Sequence, residues 1–147
     1  MPTRTARTAW NGTLQEGSGR VELASSGAGA FDVSFPRRTA DEAEGVTSPE
    51  ELIAAAHSSC FSMAFAGEVA NAGGTPGRTD VRADVTVRPA AGGGLEISKI
   101  ALTVVGEATG IDADAYRAAA EAAKAGCPVS KALAGVSEVT LDVTFNG

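Results

Sequence analysis

The chain has 147 residues, 44% hydrophobic and 20% charged, a composition that fits one folded globular domain over residues 1–147 rather than a disordered segment. Its 18 acidic and 12 basic residues give a net charge of −6, which disfavours nucleic-acid binding because an acidic surface repels phosphates. No apolar run follows the N-terminal arginines, so we expect neither a signal peptide nor a transmembrane span. We therefore expect the protein to be cytoplasmic.

The first third of the chain is predicted to form short strands separated by turns. Apolar runs bounded by Gly-rich and Ser-rich segments favour strands at Thr5–Trp10, Arg20–Ser25 and Phe31–Phe35. A polar connector, Pro36–Thr47, follows the third strand and carries two adjacent arginines.

A long helix is predicted from Ser48 to about Ala70. Its start, Ser48-Pro-Glu-Glu51, combines an N-cap serine, a proline at the first helical position and a glutamate three residues after the cap. Asn71–Gly77 is expected to end it. Leu52–Gly67 carries no charge and is apolar on nearly every side, unlike a surface helix. A chain this short has little left to cover such a helix, so we expect an obligate homodimer with the helix at its centre.

The remainder of the chain reads as strands followed by helices and a final strand. The predicted elements are an alternating strand around Val81–Val87, a hairpin turn at Gly92–Gly94, a returning strand Leu95–Gly106, a helix Asp112–Ala125, a short helix through Ala134 and a strand Glu138–Phe145. The core positions expected on the returning strand are Ile97, Ile100, Leu102 and Val104. This order predicts an α+β fold with antiparallel sheets.

Only two cysteines occur in the chain, Cys60 and Cys127. Cytoplasmic thiols are normally reduced, so the two are either buried apolar residues or a redox pair with a transient bond. Cys60 lies about three turns into the long helix, where the helix dipole no longer stabilises a thiolate. The nearest cations in sequence are Arg37 and Arg38. His57 can share a helix face with Cys60, although a lone histidine on an uncharged helix is more often a core residue.

Cys127 stands at a different kind of position. Gly126 can end the preceding helix and Pro128 can open the next one, which leaves Cys127 near an N-cap. Local electrostatics therefore makes Cys127 the more acidic thiol, and the residues alone leave open which cysteine attacks first. Two cysteines and one histidine at these spacings match no zinc pattern, and the serines near Cys60 have no base and acid around them.

Two cysteine motifs together resemble those of the OsmC family, the osmotically inducible thiol peroxidases. The motifs are Ser48–Ala64, around Cys60, and Lys124–Lys131, around Cys127. The segments Ala9–Gly12, Lys99–Leu102 and Gly110–Ala113 fit as well, so the resemblance runs along nearly the whole chain. The residues of the two motifs favour the OsmC branch over the related organic-hydroperoxide-resistance branch. The resemblance implies a swapped homodimer with antiparallel sheets around a long buried central helix, and active sites at the subunit interface.

The resemblance also implies a reaction. Organic hydroperoxides, and less efficiently hydrogen peroxide, are reduced by a cysteine cycle without metal or flavin, and an external dithiol of the lipoyl type restores the thiols. Matched by position, Cys60 is the peroxidatic cysteine and Cys127 the resolving one. Arg38 holds the Cys60 thiolate and Glu50 holds Arg38, with Arg37 as the alternative to Arg38.

Helix geometry adds a prediction about the dimer. Glu50 and Cys60 are ten positions apart, about 15 Å along one straight helix. We therefore expect each site to take Cys60 from one subunit and Glu50 from the other. The rival interpretation is a dimeric protein that binds an apolar ligand and senses redox state without peroxidase turnover. A disulfide oxidoreductase is a weaker third, because the chain lacks Cys-x-x-Cys and a βαβ pattern.

Overall fold

The computed structural model describes all 147 residues, which divide into two compact units, Met1–Leu52 and Ile53–Gly147. Each unit contains one three-stranded sheet. The expectation of a single domain over residues 1–147 stays a prediction at this point.

The first unit begins with an antiparallel sheet of order β1-β2-β3, formed by β1 (Arg7–Asn11), β2 (Ser18–Glu22) and β3 (Ala30–Val33). The predicted strand through Phe35 is wrong at its end, because a one-turn helix, α1 (Phe35–Arg38), follows β3. The Ser34 side chain caps α1 by accepting a hydrogen bond from the Arg37 backbone N–H, and Pro36 has no N–H with which to extend a strand.

The long helix α2 (Pro49–Asn71) forms where the capping sequence predicts it. The Glu51 backbone N–H donates to Ser48 Oγ at 3.1 Å. At the other end, Gly73 adopts a φ of 87°, a left-handed conformation that glycine reaches without strain. The chain then enters a strand at Thr75, so the predicted turn over Asn71–Gly77 is shorter than expected.

The second unit holds a long hairpin, two helices and a last strand. Its elements are β4 (Thr75–Pro89), β5 (Leu95–Thr109), α3 (Ala113–Gly126), α4 (Pro128–Ala132) and β6 (Glu138–Phe145), with sheet order β4-β5-β6. The predicted glycine turn joins β4 to β5, where Gly93 and Gly94 have positive φ values.

One pairing differs from the expected antiparallel sheets. β4 and β5 are antiparallel, but β5 and β6 run parallel, with Lys99 opposite Glu138 and Gly106 opposite Phe145. The physical reason is the connection: α3 and α4 lie between these strands, and such a helical crossover returns the chain in the same direction. The α+β class holds, and the second sheet is mixed.

The core of the second unit joins one face of α2 to β5 and α3. Its buried members are Phe61, Phe65, Val69, Ile100, Leu102, Val104, Ala108, Tyr116, Ala119, Ala120 and Ala123. The rings of Phe65 and Tyr116 meet edge to face, with their centroids 4.8 Å apart. Three of the four core positions predicted on β5 are fully buried, and Ile97 is half-buried.

The opposite face of α2 is exposed in the single chain. We call its uncharged residues the outer stripe: Ala55, Ala56, Ser59, Met63, Ala66, Gly67 and Ala70. The Met63 side chain is 71% exposed. By length and hydropathy alone α2 is also apolar enough to cross a membrane, a test that core helices of globular proteins pass as well.

Candidate functional site

The two cysteines, 67 positions apart in sequence, meet in the second unit. The Sγ atoms of Cys60 on α2 and Cys127 are 2.9 Å apart, and both thiols are free. Cys127 is completely buried, whereas Cys60 is half-buried. Because a disulfide has an S–S bond of about 2.05 Å, little movement is needed to join the two sulfurs.

The junction between α3 and α4 positions Cys127 as the sequence predicts. The Cys127 backbone N–H donates to the Ala123 carbonyl at 2.8 Å, which ends α3, and Pro128 begins α4. The Cys127 side chain makes no regular cap hydrogen bond to α4.

The surroundings of the two thiols shift their acidities in opposite directions. Burial raises the pKa of Cys127, but the neighbouring Cys60 thiol and the backbone and hydroxyl of Ser130 favour the thiolate more strongly, so the net pKa is lowered. Burial raises the pKa of Cys60, and the hydrogen bond with Cys127 raises that pKa further. Cys127 is therefore the more acidic thiol, in agreement with the sequence argument, and Cys60 needs a cation if it is to ionise first.

His57 takes part in this cluster through a serine. Its Nε2 lies 2.7 Å from Ser130 Oγ, and its ring is fully buried. Burial lowers the pKa of His57, so the ring is neutral at neutral pH, and Nδ1 has no hydrogen-bond partner. The sequence argument favoured a core role for His57 and missed Ser130. The available signal was the position of Ser130, three residues after a cysteine at a helix start.

Arg38 and Glu50 form an ion pair in the first unit. Arg38 Nη2 donates to Glu50 Oε1 at 2.7 Å, and Arg38 Nε donates to both carboxylate oxygens at 3.1 and 3.2 Å. The side chains of Arg38 and Glu50 are 29% and 7% exposed. The hydrogen bonds to Glu50 raise the pKa of Arg38 against the opposing effect of burial. Arg37 instead pairs with Glu44 at the surface, so of the two candidate arginines Arg38 is the one that contacts Glu50.

Arg38 also lines an apolar cleft of about 400 Å³ within the first unit. The apolar side chains around the cleft include Trp10, Leu14, Val21, Phe35 and Leu52. Such a cleft can hold an alkyl group beside a guanidinium. No group of three His, Cys, Asp or Glu side chains is arranged to hold a metal ion.

A family model and two relatives of known name are similar to this chain. Residues 41–142 match the family model described as OsmC-like protein. The chain is 41% identical over 133 residues to Peroxiredoxin OsmC of Escherichia coli K12, covering 90% of each chain. It is 35% identical over 115 residues to the organic hydroperoxide resistance protein OhrA of Bacillus subtilis, covering 77% of this chain and 79% of that protein.

Solved structures agree with the sequence relatives. The crystal structure of an organic hydroperoxide resistance protein from Elizabethkingia anophelis superimposes with a TM-score of 0.78 at 27% identity, over 99% of this chain and 98% of that one. The two cysteine motifs, the fold and the matched family model thus agree, and the chain belongs to the OsmC family.

Proposed function

We propose that this chain is a cysteine-based peroxidase that reduces organic hydroperoxides, and hydrogen peroxide less efficiently, by a two-cysteine cycle. The observation that carries the proposal is the 2.9 Å contact between Cys60 and Cys127 in a chain 41% identical to a peroxiredoxin. The names of two further relatives refer to resistance against organic hydroperoxides.

Cys60 is the peroxidatic cysteine. Its thiolate attacks the terminal peroxide oxygen, the O–O bond breaks, the alkoxide takes a proton and leaves as the alcohol, and Cys60 becomes a sulfenic acid. The lower pKa of Cys127 does not reverse this order, because the Cys127 side chain is completely buried and Cys60 is partly open. A peroxide can therefore reach only the less acidic sulfur.

Cys127 is the resolving cysteine. Its sulfur attacks Cys60 Sγ, the hydroxyl leaves as water, and a Cys60–Cys127 disulfide forms. An external dithiol of the lipoyl type then supplies two electrons and two protons and restores both thiols. The cycle uses neither a metal nor a flavin.

Arg38 supplies the cation that Cys60 lacks in its own surroundings, and Glu50 holds the guanidinium. The three hydrogen bonds between Arg38 and the nearly buried Glu50 support this assignment, since they fix the orientation of the guanidinium plane. Glu50 and Cys60 both lie on α2, ten positions and about 15 Å apart along the helix. Each site accordingly combines Cys60 of one subunit with Arg38 and Glu50 of the other.

The working form is a swapped homodimer built from a single OsmC-like domain per chain. The outer stripe of α2 supports a second copy as its cover, because the stripe is uncharged and consists mostly of small residues around Met63. The matched relatives span both units in one alignment, which supports a single domain. The cytoplasm, where thiols are reduced, is the proposed location.

A second candidate function is favoured by the apolar cleft beside Arg38. In this second candidate function, the dimer binds an apolar ligand, and the thiols sense the redox state without catalytic turnover of peroxide. The two candidates differ in whether peroxide is consumed catalytically.

Consumption of cumene hydroperoxide in the presence of dihydrolipoamide separates the candidates. If the chain is a peroxidase, the wild type consumes many equivalents of peroxide per subunit and Cys60→Ser consumes none. Cys127→Ser is slowed at the resolving step, in which the disulfide forms. Wild-type protein that consumes at most one equivalent of peroxide favours the redox-sensing protein. Loss of turnover in Cys127→Ser alone reverses the roles of the two cysteines.

A further inference from the structure

Building on the proposed cycle, we propose that His57 is a positioning residue that acts through Ser130 to present Cys127 as a thiolate for attack on oxidised Cys60. Neither side chain touches the peroxide. Both act on the resolving step, and all four residues involved belong to the second unit.

His57, Ser130, Cys127 and Cys60 follow one another as a line of polar groups, in which Ser130 and Cys60 are half-buried. His57 Nε2 lies 2.7 Å from Ser130 Oγ, and Cys127 Sγ is 2.9 Å from Cys60 Sγ. Ser130 follows Cys127 by three residues in the first turn of α4, and its hydroxyl helps to lower the pKa of Cys127. His57 and Cys127 are both fully buried. Burying a polar imidazole beside a thiol without a use for its hydrogen bond is unfavourable, so this line is a built feature rather than a surface contact.

The unpartnered Nδ1 of His57 decides the direction of the hydrogen bonds. A proton on Nδ1 would leave a buried N–H without an acceptor, whereas a proton on Nε2 finds Ser130 Oγ. With the proton on Nε2, His57 donates to Ser130 Oγ. The Ser130 hydroxyl hydrogen is then free to donate to the Cys127 sulfur, and such a donor stabilises the thiolate rather than the thiol.

The resolving step balances without any further reactant. The Cys127 thiolate attacks Cys60 Sγ, the S–S bond forms, and the S–O bond of the sulfenic acid breaks. The leaving hydroxide takes up a proton equivalent to the one that Cys127 lost, and departs as water. The Ser130 and His57 protons stay in place, so the two residues hold the nucleophile and are unchanged after each turnover.

The direct test is the thiolate fraction of Cys127 at neutral pH, measured by ultraviolet absorbance in dimers whose Cys60 is replaced by serine. Ser130→Ala is expected to lower that fraction about 10-fold, since a hydrogen bond to a charged group is lost. His57→Leu should have a similar effect, and adding it to Ser130→Ala should change little, because the two residues act in one line. His57→Gln retains an N–H donor and should stay within about 2-fold of the parent.

Ser137→Ala is the matched control, because it removes a hydroxyl that bonds the Ser98 carbonyl outside this line. In the two-cysteine protein, rapid mixing with peroxide should show slower disulfide formation in Ser130→Ala, while oxidation of Cys60 keeps its rate. If His57→Leu does not fold, the thiolate fractions of Ser130→Ala and His57→Gln are sufficient to test the inference.

The inference is overturned if Ser130→Ala keeps the thiolate fraction of the Ser137→Ala control, or if His57→Gln falls to the level of Ser130→Ala. A wild-type protein that consumes no peroxide catalytically overturns the proposed cycle instead. The absorbance measurement needs no turnover, so the two failures are distinguishable.

Discussion

Cys127 is the more acidic of the two thiols, whereas Cys60 is the one that a substrate can reach. Acidity and access are therefore divided between the two residues. A cation at Cys60 resolves the conflict, because it lowers the pKa of the accessible thiol without exposing the buried one. The Arg38–Glu50 pair is the candidate for that cation.

Replacing Arg38 by methionine tests this assignment. Arg38→Met should slow the reaction of Cys60 with peroxide about 10-fold or more, because an adjacent cation lowers a thiol pKa by a unit or more. Arg37→Met is the matched control, since Arg37 pairs with Glu44 at the surface and should keep the wild-type rate. Stopped-flow measurement of Cys60 oxidation checks both variants, and equal losses in the two would rule out a specific role for Arg38.

The buried His57 gives the stability of the protein a defined pH dependence. Its native pKa is lowered by burial, so below the unfolded value of about 6.5 the unfolded chain takes up a proton that the native state excludes. The stability contribution is complete above about pH 6.5 and is lost as the pH falls toward the native pKa, by up to about 1.4 kcal/mol per pH unit.

Urea unfolding at about pH 7.0 and about pH 5.5, at fixed protein concentration, measures this effect. His57→Gln removes the chain's only histidine and serves as the control, so its stability should fall less between the two pH values. An equal fall in both proteins would mean that carboxylates or other groups carry the whole dependence.

At the scale of elements, α2 divides its two faces between different tasks. One face carries His57, Cys60 and the aromatic core residues, and the other is the outer stripe. A helix that is apolar all round needs cover on both faces, and the single chain covers one of them. The exposed stripe is thus the element-level reason for which we propose a dimer.

Met63→Glu tests that reasoning, because Met63 stands in the middle of the outer stripe with its side chain 71% exposed. Burying an unpaired carboxylate at an interface is strongly unfavourable. We therefore expect the variant to sediment as a monomer and the wild type to sediment as a dimer. Val105→Glu is a suitable control, since Val105 is an exposed apolar residue on β5 rather than on α2. A Met63→Glu protein that remains dimeric would place the interface elsewhere.

Elements with strong local signals were predictable from the sequence. Ser48, Pro49 and Glu51 fix the start of α2, the glycines after Ala91 fix the hairpin, and the alternation in Glu138–Phe145 fixes β6. The parallel pairing of β5 with β6 was not predictable in this way, because alternation marks a strand but not its neighbour's direction. The one-turn helix α1 is too short for any period to show.

The same contrast between local sequence signals and tertiary contacts applies to the candidate site. Cys60, Cys127, Arg38 and Glu50 could be named from the family resemblance, and the structure places them in two pairs. The hydrogen bond between His57 and Ser130 spans 73 positions and depends on tertiary packing, so no local sequence pattern predicts it.

At the scale of the whole molecule, the proposed site requires two chains. Each dimer then contains two sites, and each site draws Cys60 from one subunit and the Arg38–Glu50 pair from the other. The consequence is that defects in different residues complement each other across the interface.

Heterodimers of Cys60→Ser and Arg38→Met subunits, purified with two different affinity tags, test the shared site. One of the two sites is then intact, so peroxide consumption should recover to about half of the wild-type level. Homodimers of each variant are the controls and should stay at their own low rates. A heterodimer no more active than the mean of the two homodimers would place the complete site within one chain.

The order of attack by the two thiols is tested most directly by trapping the first oxidised sulfur. Each single-cysteine protein is treated with one equivalent of cumene hydroperoxide in the presence of dimedone, and the adduct is located by mass spectrometry. The expected result is a dimedone adduct on Cys60 in Cys127→Ser and none on Cys127 in Cys60→Ser, because Cys127 is completely buried. An adduct that forms on Cys127 in Cys60→Ser, with none on Cys60 in Cys127→Ser, would contradict the proposed cycle.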